Sequence, residues 1–217
     1  MLREAEIDVS RSTVRNWFYK SFPERVGRRG EYRIEVKVKD MDFVKEFAEC
    51  LGRVLRRGPP RPKTVEDGRL KMRVSSKALY ELLQKPLNLD RIRPFTEYSN
   101  DGMRSFLRGF FDSEAHVDKK DGDIFCYNTD IRLLKYVQRL LKLLGIQTTG
   151  PKICIRKGAP IDKNRGEIYK KRKNVYYIYV KARDRLRFYK LVGFTIKRKQ
   201  QRLEEYLRRR GLLGDSH

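Results

Sequence analysis

Two acids close a helix whose other residues are suited to burial. In SFLRGFFDSEAHVDKKDGDIFCYNTD, Asp112 and Glu114 fall in the last turn of the helix predicted over SFLRGFFDSE, where the negative end of the helix dipole disfavours carboxylates. Acid is scarce in this chain, which has 28 Asp plus Glu against 52 Lys plus Arg. A carboxylate retained at a local cost points to work done by that carboxylate. Ser105, Gly109 and Ser113 recur every four residues on one face of the same helix. Such a row of small residues lets a second helix backbone come close, so these three are assigned to helix packing.

The remaining charge is organised for a polyanion. A formal net charge of +24 makes polyphosphate the leading partner, because neutralising phosphates releases condensed counterions; nucleic acid ranks ahead of an anionic membrane. An ion-pair-rich thermophilic surface would account for 37% charged residues but not for their sign. The 39% hydrophobic and 11% aromatic content is enough for a core. No apolar run approaches the roughly 20 residues of a membrane span. The start, MLREAEIDVS, lacks the apolar stretch of a signal peptide, so an intracellular protein of the cytoplasm and nucleoid is expected. Cys50, Cys126 and Cys154 with His116 and His217 yield no zinc spacing, and each cysteine is expected as a reduced core thiol. No nucleotide loop, nucleophilic triad or flavin signature is legible.

The elements that carry these residues follow from periodicity. Ser10 caps a basic stretch in which Val14, Trp17 and Phe18 repeat at helical spacing, which fits either a lone capped helix or a DNA-reading one. SFPERVGRRG then reads as a basic linker. From Glu31 the pattern alternates, with Ile34, Val36 and Val38 opposing Arg33, Glu35, Lys37 and Lys39. Asp40 or Asp42 opens the helix FVKEFAECLGRVL, and a second alternating strand sets Leu70, Met72 and Val74 against Arg69, Lys71 and Arg73. Ser75 or Ser76 opens KALYELLQ. The second half repeats this order: strand DIFCYN, helix IRLLKYVQRLLKLL after the capping run NTD, strand KICIRKG, strand VYYIYV and a helix from near Arg183. The basic loop between those last strands, with Lys170, Lys171, Arg172 and Lys173, suits contact along a phosphate backbone. The expected divisions are residues 1–30, a basic helical segment and linker; 31–96, a first half-domain; and 97–217, a second half-domain with the acid-bearing helix.

Leu107-Arg108-Gly109-Phe110-Phe111-Asp112-Ser113-Glu114-Ala115, followed by IFCYNTDIRLLKYVQRLLKLLGI and FTIKRKQQRLEEYL, resembles the LAGLIDADG homing endonucleases of the archaeal intron-encoded kind. The resemblance implies an α+β fold of duplicated αββαββα halves about a pseudo-two-fold axis, with sheets that straddle double-stranded DNA. It implies site-specific phosphodiester hydrolysis with a divalent metal, usually Mg2+, held at Glu114 beside Ala115. Asp112 matches the motif's helix-holding Asp. Lys39 and Asn128, or its neighbour Thr129, match positions that organise solvent near the metal. The open strand faces would meet DNA through Arg33, Glu35, Lys37, Arg69, Lys71, Arg73, Lys152 and Arg156.

The sequence departs from the family pattern at two places. No first copy of the motif precedes the first alternating strand, so the first half is expected to lack its motif helix, and Ala115 replaces the motif's final Gly. One metal-binding acid does not complete two sites, so weakened double-strand cleavage is expected. A dimer joined through Ser105, Gly109 and Ser113 ranks below a monomer. The alternative function is a maturase-like helper that binds intron RNA and needs no catalytic acid.

Overall fold

The protein is described from a computed structural model covering residues 21–26, 31–84, 86–163 and 167–214. The predicted basic helix near Ser10 lies outside those residues, as does the place of a first motif helix. Alternation of branched apolar with charged residues buries Ile34, Val36 and Val38 on one face of β2 (Glu31–Val38). Strand β1 (Ser21–Val26) pairs with β2 antiparallel, Ser21 opposite Val36 and Val26 opposite Glu31. The expected linker at residues 21–30 therefore contains a strand. Its sequence hides this because an edge strand bonds on one side only, and so accommodates Pro23 and lacks a clean alternation.

Helix α1 (Met41–Val54) buries Phe43, Val44, Phe47, Ala48, Cys50 and Leu51. Strands β3 (Lys63–Thr64) and β4 (Leu70–Ser75) complete a sheet of order β1-β2-β4-β3, and Met72 and Val74 join its buried face. Ser76 caps α2 (Lys77–Leu82) by accepting the Leu79 N–H at 3.4 Å. Helix α3 (Leu89–Thr96), capped by Asn88, is an element the sequence pattern did not reveal. Helix α4 (Asn100–Glu114) follows it and ends in the two acids.

A second set of elements repeats the topology. Strands β5 (Ala115–Val117) and β6 (Ile124–Asn128) form a hairpin. Asp130 caps α5 (Ile131–Leu143) by accepting the Arg132 and Leu133 N–H groups at 3.0 and 3.3 Å. Then come β7 (Thr148–Ile155), the ribbon β8 (Pro160–Lys163) and β9 (Glu167–Lys170), and β10 (Val175–Val180). The sheet order is β5-β6-β10-β7, so in each sheet the fourth strand of its four sits between the second and third. The expected basic loop is thus largely a two-stranded ribbon, with Pro160 opposite Lys170. A 3-10 turn (Ala182–Asp184), α6 (Arg185–Leu191) and α7 (Lys197–Arg209) complete the chain.

The chain divides into two compact units. One runs to Ser113 and takes in Val192–Gln200; the other comprises Glu114–Leu191 and the residues from Gln201. The division falls at the end of α4 rather than between residues 96 and 97. Cys50 and Cys126 are buried and outside any disulfide, but Cys154 is exposed, contrary to expectation, because β7 is an edge strand whose pairing shifts beside Val175 and Tyr176. Among the described residues no helix is long and apolar enough to cross a membrane.

Gly122, in the β5–β6 turn, has φ +62°, and a Cβ there would lie 2.2 Å from the Tyr206 ring. The Arg185 guanidinium stands 5.0 Å from the centre of that ring, so the ring has a cationic neighbour as well. Gly122→Ala is expected to lower stability by about 2–5 kcal/mol, adding the left-handed backbone cost to overpacking. Urea unfolding measures it.

Candidate functional site

The end of α4 is locked by a segment far away in sequence. Asp112, 1% exposed, accepts the Thr195 N–H at 2.9 Å and the Ile196 N–H at 3.2 Å. In return the buried Lys199 ammonium donates to the carbonyls of Phe111 at 3.1 Å and Asp112 at 2.6 Å, and lies 5.7 Å from the centre of the Phe194 ring. The carboxylate thus serves N–H groups at the start of α7, while the ammonium serves carbonyls at the end of α4, each where the helix dipole favours its sign. One turn earlier, Arg108 donates to the Val192 carbonyl. This answers why an acid at position 112 is tolerated: its charge belongs to another helix's start.

The same segment reaches the beginning of α1. Asp40 occupies the cap position of α1 but makes no side-chain cap bond; its carboxylate accepts from Arg198 Nε at 2.9 Å. That hydrogen bond, ahead of the cost of burial, raises the Arg198 pKa further. Asp42 accepts the Lys197 N–H at 2.9 Å. Both acids expected to cap α1 by side chain therefore fasten 192–200 instead. Lys39 is exposed, one residue before Asp40, so its strand end is tethered to the segment that also holds Asp112.

Glu114 is the last residue of α4 and half-buried, and Ala115 passes directly into β5, opposite Cys126. Continuing that register puts Glu114 and Asn128 at the same end of the β5–β6 pair. The Asn128 side-chain Oδ1 accepts the Asp130 N–H at 2.8 Å, turning the chain into α5 and leaving the side-chain amide nitrogen as its donor. Thr129 is exposed in that turn. Ser105 and Gly109 are buried and Ser113 is half-buried, with its hydroxyl donating to the Phe110 carbonyl at 3.0 Å. Among the described residues no group of three or more His, Cys, Asp or Glu is placed to hold a metal ion. A cation at this place would have Glu114 as its protein carboxylate. Such a donor set fits Mg2+ or a similar hard ion, which takes one or two carboxylates and completes its shell with phosphate oxygens and water.

The open face of the first sheet is a charged cluster. Register sets Glu35 opposite Arg73 and Lys37 opposite Lys71. Glu35 receives Lys71 at 3.0 Å, Arg73 at 3.0 Å and Lys37 at 3.6 Å. Burial raises its pKa, but hydrogen bonds and charge from Lys71 and Arg73 outweigh burial and hold the carboxyl below its ordinary 4.5. Arg33 is half-buried on the same face, opposite Ser75. Arg69 is engaged by Asp67, Nε to Oδ2 at 2.7 Å, and that pair holds Asp67 at a pKa of about 2. Of the nominated contacts, Glu35 is therefore an organiser that sets the spacing of three cations. Because its folded pKa is depressed, its contribution to stability is complete above about pH 4.5 and is lost as pH falls through the lower folded value. Carboxyl NMR titration is expected to show Glu35 ionised below pH 4.5 and the shift abolished in Arg73→Ala, Lys71→Ala.

The second sheet differs. Its strands bury Ile124, Cys126, Ile178 and Val180, so Phe125, Tyr127, Tyr177 and Tyr179 occupy the other face. Lys152 is exposed opposite Tyr177, and Arg156 is exposed just past β7. Lys170, which ends the ribbon, and Arg172 and Lys173 beyond it are exposed, whereas Lys171 is half-buried and closes the ribbon through backbone bonds with Gly158 and Ala159. The Asp112–Lys199 lock, the Glu35 cluster and this aromatic face were not read from sequence. Only the last had a local signal, rings at alternate positions in IFCYN and VYYIYV.

A family model described as a LAGLIDADG-like domain matches residues 101–193, from the start of α4 to just past α6. The uncharacterized protein MJ0398 of Methanocaldococcus jannaschii is 34% identical over 187 residues, which are 83% of this chain and 64% of that protein. A second uncharacterized protein of that organism, MJ0314, is 32% identical over 129 residues, 55% of this chain and 49% of its own length. The chain therefore spans 64% and 49% of these two relatives. The homing endonuclease I-DmoI, solved with DNA and Mn, superposes with TM-score 0.56 at 24% identity, over 84% of this chain and 97% of that one. Full-length DUF199/WhiA from Thermatoga maritima superposes with TM-score 0.53 at 15% identity, over 96% of this chain and 65% of that one. The shared feature is the α+β LAGLIDADG fold.

Proposed function

We propose that this chain, which carries a LAGLIDADG-like domain at residues 101–193, binds a specific double-stranded DNA site and hydrolyses a phosphodiester there with Glu114 and a divalent metal. The observation that carries this reading is the clamped helix end: Asp112 and Lys199 hold the last turn of α4, and Glu114 is the residue on which that helix ends. A bound divalent cation would be held by Glu114 beside Ala115 and would supply an activated water and charge stabilisation at the phosphate.

The chain's own groups do the rest. Arg33, Lys37, Lys71 and Arg73 meet phosphates and base edges from the first sheet, with Glu35 holding three of them in register. Lys152, Arg156, Lys170, Lys171, Arg172 and Lys173 add backbone contacts from the second unit. Lys39 donates to phosphate oxygen or solvent, and the Asn128 amide nitrogen orients solvent. One such acid serves one strand, so the product proposed for Glu114 is a nick. The protein works as a monomer on intracellular DNA.

The test is nicking of a supercoiled plasmid library of host genomic DNA with Mg2+ or Mn2+, comparing the unaltered chain with Glu114→Gln. Nicked circles are expected only from the unaltered chain with metal present. Equal nicking by both proteins, or none by either, overturns the reading. In the second case an RNA helper that needs no acid takes its place.

A further inference from the structure

We propose that the open face of the second sheet binds unpaired bases of single-stranded nucleic acid by stacking them on Tyr127 and Tyr177. The two sheets share a strand order but not a surface. In the first, Glu35 and its cations make a polar face suited to the outside of a duplex. In the second, the face bears Phe125, Tyr127, Tyr177 and Tyr179, with ring centres 6.3 Å apart for Phe125 and Tyr127, 5.0 Å for Phe125 and Tyr179, and 6.2 Å for Tyr127 and Tyr177. His116, exposed and opposite Phe125 in register, extends the row onto β5.

The rings have distinct duties. The Tyr179 hydroxyl donates to Asp123 at 3.1 Å and is met by the buried Arg185, so this ring is fastened into the unit. Phe125 packs against Tyr179 and carries no polar atom to anchor it. Tyr127 and Tyr177 are half-buried neighbours on this face, and Lys152 is exposed opposite Tyr177. Burial, with the neighbouring Cys154 and Tyr177, pushes the Tyr127 phenol upward, so it remains a neutral ring with a donor.

A duplex hides the flat surfaces of its bases, and a row of rings gains little from its edges. Unstacked bases offer those surfaces, and ring-to-base stacking tolerates any sequence. Charge identifies the occupant as a polyanion. The chain carries +24, and the exposed cations Lys152 on β7, Arg156 just past it, Lys170 at the end of β9, and Arg172 and Lys173 between β9 and β10 adjoin this face in sequence. RNA and locally opened DNA share this chemistry. The inference does not depend on Glu114, so it stands or falls separately from the cleavage reading.

The experiment is fluorescence anisotropy of the full chain with labelled single-stranded DNA, single-stranded RNA and the matching duplex, each of about 12 nucleotides, a length within the span of known single-strand sites. Tyr127→Ala and Tyr177→Ala are each expected to lose about tenfold in single-strand affinity while duplex affinity changes less than twofold; Tyr177→Phe and Glu114→Gln keep the single-strand affinity. Tighter binding of RNA than of DNA, or equal binding, both support stacking and identify the source. Tyr177→Leu keeps apolar bulk without a π-face and guards against loss of fold, which circular dichroism monitors. Unchanged single-strand affinity in folded Tyr177→Leu, or parallel losses for single strand and duplex, would overturn the proposal.

Discussion

Glu114→Gln is expected to lower the proposed metal-dependent nicking by about a thousandfold. The substitution preserves length and hydrogen-bonding shape but removes the charge a hard cation needs. A metal's stabilisation of the reacting phosphate is worth several kcal/mol, and ~4 kcal/mol corresponds to about three powers of ten in rate. The helix end is expected to stay in place, because the Asp112 and Lys199 bonds that fasten it are untouched. Duplex affinity without metal therefore holds or rises slightly, since one negative charge has left the neighbourhood of a phosphate. A parallel fall in affinity and nicking would instead assign Glu114 to binding. Single-turnover rates beside anisotropy separate the two.

Asp112→Ala is the costliest substitution expected for stability, about 3–5 kcal/mol by urea unfolding. Hydrogen bonds to a charged acceptor contribute roughly 1.5–3 kcal/mol each, and here deletion strands the Thr195 and Ile196 N–H groups in a nearly dry place. Asp112→Asn keeps one acceptor and is expected to lose about half as much. With Asn the chain still folds, and its nicking rate falls because the turn that aims Glu114 is less firmly held, where a misplacement near 1 Å can cost about a hundredfold. An unfolding midpoint for Asp112→Ala equal to that of the unaltered chain would show that the segment 192–200 is held by other contacts.

The acid-bearing helix, the two alternating strands of the first half, the capped helix at Asp130 and the duplicated order were all legible because each is written in neighbours. Periods of 2 and 3.6, small residues every fourth position and Asx caps act within one or two turns. Three expectations failed for one kind of reason. Residues 21–26 became an edge strand through pairing with β2, the basic loop became a ribbon through pairing of β8 with β9, and Cys154 was exposed by its place on an edge strand. Each depends on which strand lies alongside, which no local period records.

The charges divide in the same way. From the residues alone came their number, their sign and the two acids at the end of α4. Tertiary structure alone assigned them partners: Asp112 to Thr195, 83 residues away, Asp40 to Arg198, 158 residues away, and Glu35 to Lys71 and Arg73 across a strand pair. It also decided that one sheet presents ions and the other rings, although both follow the same strand order. The reason is range. Backbone preference and burial pattern act along the chain, whereas an ion pair or a ring cluster exists only once distant segments have been folded to within a few ångströms of each other.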